Sequence, residues 1–255
     1  MAADDHVRWT LHGRVGRITL DRPERRNALT EAMWTRLAEL ATGLPGEVRA
    51  LVVDGAGGAF SSGNDIEMLQ TSLTDPEATR RFHELVDRAL QAVRDLPIPT
   101  IAAVDGVCFG AGLMLATVCD LRMAAADARF CAPPAKLGLV YGIGETQALV
   151  DVVGPARAKE LLFTARAVDS AEAVRIGLAE RAADGPAGDA AMELAEEIAA
   201  LSAVTHRASK RLVAAAAARL PHAPWMEELR DQAVASDDFR EGRAAFFAKR
   251  RPEFG

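Results

Sequence analysis

Nowhere in the 255 residues is there an uninterrupted apolar run of the length needed to span a bilayer, about eighteen or more. The opening MAADDHVRWT has neither the basic start nor the apolar run of a secretory signal, so the reading predicts a cytoplasmic protein without a membrane. Cysteine is scarce. Cys108, Cys119 and Cys131 are an odd set in apolar surroundings, which fits reduced thiols better than disulfides. No CxxC or His-rich spacing suggests a metal site, and none is expected. Positive charge is in deficit, with a formal net charge of −6, which argues against general nucleic-acid binding but allows a local basic patch for a small anion. No GxGxxG or GxxxxGK[ST] run occurs, so dinucleotide-fold and P-loop chemistry are not expected. Repeats at solenoid periods are absent too.

What remains is an ordinary globular composition, 49% hydrophobic and 26% charged. VRWTLHG and GRITLDRP read as a β-hairpin turning at Gly13 to Gly16. Thr30 opens a helix whose Met33, Trp34, Leu37 and Leu40 follow the 3.6-residue period. ALVVDG reads as a buried parallel strand, AGGAFSSGND as a loop, and Asp75 to Arg94 as a charged helix. LPIPTIAAVDG and LRMAA supply two further strands. Strand-loop-helix alternation of this kind predicts an α/β layered core. From Glu145 to about Phe247 the pattern is almost continuously helical, punctuated at Gly154-Pro155, Gly177, Asp184-Gly185-Pro186 and Pro221.

Two glycine-rich loops each follow a strand. GAG before LMLATV places unpaired helix-start N–H groups around Ala111 and Gly112, and FSSGNDI offers another donor set near Asn64. Close packing at glycine accounts for such loops equally well; if the two donor sets converge on one oxygen, they form an oxyanion hole.

The ordered runs DRPERRNAL, AFSSGNDI, IPTIAAVDGVCFGAG, CDLRMAAADARF, LGLVYGIG, ELLFTARAVDSAEAVRIGLAERA and EGRAAFFAKRRPEF span nearly the whole chain. Together they resemble the crotonase superfamily, the enoyl-CoA hydratase/isomerase family. The resemblance implies an α/β crotonase (ClpP/crotonase-like) fold, with repeated ββα units in two roughly perpendicular sheets. It also implies a core over 1–195, a helical region over 196–255 used in trimer packing, and a homotrimer or dimer of trimers. The implied ligand is an acyl-CoA thioester, with no cofactor beyond its CoA moiety.

By the same resemblance, the oxyanion donors fall at the backbone of Asn64 and Ala111, with Gly142 a further donor. CoA contacts fall at Ser62, Asp65 and Ile66, at Arg25, Arg26 and Ala28 in the phosphate-facing stretch, and at Lys249 from the C-terminal region. The chain departs from the hydratases at two positions: Met114 and Pro134 stand where they carry glutamates. Neither side chain can exchange a proton at neutral pH, so two-glutamate hydration is not expected.

Two residues are left as chemistry candidates. Tyr141, the only tyrosine, either packs as an aromatic or orients a substrate carboxylate and supplies a proton. Glu145 either caps a helix or, if desolvated in an acyl pocket, acts as acid/base. Asp65 and Asp120 read as turn or capping residues, and Glu67 and His83 as exposed. Three readings stay open: an isomerase or atypical hydratase working through Glu145, a decarboxylase of the methylmalonyl-CoA type using Tyr141, and a non-catalytic acyl-CoA binder.

Overall fold

A computed structural model describes residues 6–255. The predicted hairpin forms from β1 (Val7–His12) and β2 (Val15–Leu20), paired antiparallel. Three parallel strands extend it: β3 (Ala50–Gly55), β4 (Thr100–Val104) and, beyond β5 (Val107–Phe109), β6 (Leu121–Ala124). With the later β9 (Arg181–Ala182) they make a six-stranded sheet in the order β1-β2-β3-β4-β6-β9. A second, three-stranded sheet has the order β5-β7-β8, with β7 at Arg129–Cys131 and β8 at Ala167–Asp169.

Side chains alternate across the large sheet with the two-residue strand period. Ile18, Leu20, Leu51, Val53, Ala102 and Val104 point to one face. There they meet α1 (Glu31–Thr42), α3 (Pro76–Arg94) and α4 (Ala111–Val118). Val15, Ala50, Val52, Ile101, Ala103 and Met123 point to the other, under α8 (Ala187–Ala199). That helix offers alanines 187, 191, 195 and 199 at a four-residue spacing, so it can lie close on the strands. The division expected between residues 195 and 196 therefore falls inside a helix that belongs to the sheet as far as Ala199.

Local signals explain the helix starts. Thr30 accepts from Met33 N at the head of α1, Asp65 from Met68 N at α2 (Ile66–Ser72), and Asp75 from Glu77 N and Ala78 N at α3. The C-terminal region holds the short α5 (Pro134–Leu137), then α6 (Ile143–Thr164), broken at Gly154-Pro155 as the punctuation predicts. After α7 (Ser170–Ile176) and α8 come α9 (Ala203–Ala217), α10 (Pro224–Ala235) and α11 (Asp237–Ala248).

One expectation is corrected. The stretch read as almost continuously helical contains β8 and β9. Strands of three and two residues are too short to show a period, and their pairing comes from distant β7 and β6. Among the described residues no helix is long and apolar enough to cross a membrane.

Candidate active site

β3 and β4 run parallel, so the loops that leave them emerge at the same end of the sheet. The first loop carries Ser61, Gly63 and Asn64. The second runs through β5 to Gly110 and the start of α4. They are stitched together by Phe60 N to Asp105 O (2.8 Å), Ser61 N to Val107 O (2.9 Å) and Phe109 N to Ser61 O (2.9 Å).

Glycine lets them close further. Gly63, at φ +103°, lies so near the second loop that a Cβ there would sit 3.0 Å from Phe109 O and 3.4 Å from Ala111 N. A Cβ on Gly112 would sit 2.7 Å from Ser61 Cβ and 2.8 Å from Ser61 O.

Asn64 is held by its neighbours rather than by itself. Leu29 N donates to Gly63 O at 2.8 Å and Asp65 N donates to Leu29 O at 2.9 Å, a parallel bridge that brackets residue 64. In such a bridge the central residue's own N–H faces away from its partner strand. Its side chain is fixed as well, since Trp34 Nε1 donates to Asn64 Oδ1 at 2.8 Å. Ala111 is the first residue of α4, where no preceding turn supplies an acceptor. Among the described residues, neither Asn64 N nor Ala111 N donates to any protein acceptor. The two glycine loops thus bring two unspent N–H groups to one place, one of them at a helix N-terminus.

The positions expected to lack acid/base function are apolar and closed. Met114 is fully buried and Pro134 is buried as well. Titratable groups come instead from the segment 141–145. Gly110 N donates to Cys131 O at 2.9 Å, which ties the end of β7 to the hole loop. Tyr141 reaches this region: its phenol is held well above its usual range by burial, then by the nearby Glu145 carboxylate and the Cys131 and Cys108 thiols. Its hydroxyl is buried and has no hydrogen-bond partner among the described residues.

Glu145 caps a helix, one of the two roles foreseen for it. Its Oε2 accepts from Gly142 N at 2.7 Å, a capping interaction at the start of α6. Burial nonetheless raises its pKa above the usual carboxylate range. The Gly142 N–H opposes the shift, Asp87 adds to it and His83 offsets it. The Gly142 donor is therefore engaged by Glu145. His83 is exposed on α3, as expected, on the side that faces Glu145.

The CoA candidates separate into two groups. Arg25 and Arg26 are exposed near the hole; Arg25 makes only a 3.4 Å contact to exposed Glu67, and Ser62 N donates to Arg26 O at 2.9 Å. Ala28 is buried, its carbonyl accepting from Arg22, and Ile66 is 66% exposed at the head of α2. Asp65 is a cap and an ion-pair partner of Arg22 at 2.5 Å, which holds its carboxyl below the usual range. Asp120 likewise accepts from Thr100 N and Lys210 Nζ.

Lys249 lies elsewhere. The tail that follows it contacts Arg14 and Arg49 through Phe254 and Gly255, at the opposite end of β2 and β3. Within one chain it is not brought to the hole. Trp34 and Asn27 were missed as site residues. Asn27 Nδ2 donates to Ala56 O and Ala59 O at 2.9 and 2.7 Å, shaping the first loop, and its burial, which only the fold reveals, is what marks it. Among the described residues no group of three or more His, Cys, Asp or Glu could hold a metal ion.

Paired loop donors over a ββα sheet, with a helix N-terminus behind one of them, define a crotonase-type acyl-CoA enzyme. The family described as enoyl-CoA hydratase/isomerase matches residues 10–255, and the chain belongs to it. It is 38% identical to the "Probable enoyl-CoA hydratase echA8" of Mycobacterium tuberculosis, with 94% of each chain covered. It is 42% identical to "Probable enoyl-CoA hydratase echA14" of the same species, over 85% of this chain and 84% of the relative. A solved enoyl-CoA hydratase/carnithine racemase from Magnetospirillum magneticum superposes with a TM-score of 0.94 at 32% identity, covering 98% of this chain and 96% of that one.

Proposed function

We propose that this enzyme stabilises a thioester enolate between Asn64 N–H and Ala111 N–H and moves the substrate's proton with Glu145, in an isomerase or atypical hydratase reaction. The observation that carries this reading is a substitution of roles. Met114 and Pro134 offer no proton, while Glu145 is desolvated beside the loop that supports the hole. Raised basicity is what a general base needs to take a weakly acidic α-proton. The C–H bond breaks, its proton goes to a Glu145 carboxylate oxygen, and its electron pair delocalises onto the thioester oxygen between the two N–H donors. Protonation of the γ-carbon by the Glu145 carboxyl, whose proton exchanges with solvent before it is delivered, shifts the double bond and restores the carboxylate.

Exposed Arg25, only loosely paired with Glu67, and exposed Arg26 are the cations from which a phosphate site for CoA is built, with Ser62, Ala28, Asp65 and Ile66 lining its approach. Lys249 then serves a neighbouring subunit. Phe163, Phe246 and Phe247, each more than three-quarters exposed, support assembly as a trimer or dimer of trimers. The assembly works in the cytoplasm. A second reading has its own support: the unpartnered Tyr141 hydroxyl suits an acyl carboxylate and a decarboxylation that leaves an enolate without any base.

The test is mass spectrometry of enoyl-, malonyl- and methylmalonyl-CoA esters incubated in heavy water. Deuterium in an intact or isomerised ester, lost in Glu145→Gln and kept in Tyr141→Phe, is the expected result. Carbon dioxide release that depends on Tyr141 would replace it with the decarboxylase, and binding without any turnover would leave only an acyl-CoA binder.

A further inference from the structure

The parallel strands that deliver their C-terminal ends to the hole begin, some 20 Å away by strand rise, at a second cavity. Its volume is about 300 Å³, at the small end of ligand sites. It is walled by Leu44, Val48, Leu96 and Ile98 from the segments that enter β3 and β4, and closed by Ala203 and Arg207 on α9. Its polar lining is mostly cationic: Arg49 and Arg207, with His206 and Thr42, and no carboxylate. Glu47 and Asp95, chain neighbours of lining residues, are exposed, and Asp120 is engaged by Thr100 N and by Lys210, which also donates to Ile98 O.

Arg49 is the informative residue. Its Nη2 donates to Gly255 O at 2.6 Å, which fixes the guanidinium, yet its Nε is buried and has no acceptor among the described residues. An unmet charged donor is costly to bury, so this end of the cavity is short of an acceptor. Arg207, exposed at the cavity rim, has no hydrogen bond or ion pair to a protein acceptor among the described residues. Two permanent cations over apolar walls match one negative head on an apolar body, and the space is too small for a polyphosphate ligand such as a whole CoA ester.

We propose that this cavity is a second ligand site, separate from the oxyanion hole, for a small amphipathic monocarboxylate whose head pairs with Arg49 and Arg207. The site stands independently of the reaction assigned to Glu145. The probe is sodium octanoate, titrated calorimetrically into the full-length protein, with octanol as its uncharged counterpart.

Octanoate is expected to bind and octanol to bind at least tenfold more weakly. Arg207→Gln, at an exposed position that the fold does not need, should weaken octanoate about tenfold, the loss of one charge-assisted contact. Ala203→Phe should abolish binding by filling the space, with melting curves confirming that both variants fold. Saturating crotonyl-CoA should not displace octanoate. Displacement by the thioester would place octanoate in the acyl pocket, equal affinity for octanol would remove the anion site, and indifference to both substitutions or an absence of binding would remove the cavity. Each of those results overturns the proposal.

Discussion

Replacing Gly112 by alanine tests whether two loops in tight register make the hole. The new Cβ would lie 2.7 Å from Ser61 Cβ and 2.8 Å from Ser61 O, so the gap must open by about 0.6 to 0.7 Å to reach the 3.4 Å of ordinary contact. Ser61 cannot simply rotate away, because its carbonyl accepts from Phe109 N and its Oγ donates to Asn27 O. The strain shifts backbone, at a cost typical of overpacking, about 1–3 kcal/mol. Alanine repays up to roughly 1 kcal/mol of that through helix propensity at the start of α4. The net loss of stability is thus about 0–3 kcal/mol, or a fall in Tm of up to roughly ten degrees for a domain of this size, ~2–4 °C per kcal/mol.

Activity should respond far more. Gly112 follows Ala111 directly and its spacing from Ser61 sets the separation of the two N–H donors. A displacement of this order at a reacting centre, or the loss of one hole donor, costs on the order of 10² in kcat. The assay pairs a thermal melt with turnover of whichever ester the heavy-water panel identifies. A variant that melts within roughly ten degrees of the parent but turns over ~100-fold more slowly fits the reasoning. Full activity in a folded Gly112→Ala protein would show that the loop separation does not matter, and the hole would have to be placed elsewhere.

Two further outcomes follow from the supports of the site. Trp34→Phe keeps an aromatic ring in the core but removes the 2.8 Å bond to Asn64 Oδ1 and leaves a void where the larger indole sat; stability should drop by about 2–3 kcal/mol while kcat falls more than tenfold with KM little changed, a split measured by steady-state kinetics. Glu145 titrates above its usual range because it is buried, with Tyr141, Asp87 and His83 around it. A carboxyl whose folded pKa is raised contributes stability below its unfolded pKa of about 4.5 and loses it as pH rises through the folded value. Glu145→Gln should therefore melt at or above the parent temperature at pH 7, with the difference vanishing below about pH 4.5; a variant less stable at pH 7 than at pH 4 relative to the parent would contradict the burial argument.

The fold was legible where a single residue or a period settles a choice locally. Thr30, Asp65 and Asp75 announce their helices by capping them, and the apolar run ALVVDG marks β3 as a strand buried on both faces. The short strands β8 and β9 were not legible, since their only partners lie tens of residues away. Within the site, the two glycine loops were visible as donor sets, but nothing local says that they touch. That follows from β3 and β4 being parallel neighbours, a fact of topology.

Glu145 shows the same limit in another form. A helix cap and a proposed general base need not exclude one another here: one oxygen caps α6 through Gly142 N, while burial lifts the carboxylate's affinity for a proton. The cap is what makes the second role feasible. An unheld carboxylate at the mouth of a pocket would swing into water and lose its raised pKa, whereas one pinned by a backbone N–H is kept in the desolvated position at the moderate cost of that hydrogen bond's opposing pull. With methionine and proline at positions 114 and 134, the proposed acid/base chemistry needs another carboxylate that is both partly desolvated and anchored, and half-buried Glu145, pinned by Gly142 N, has both properties.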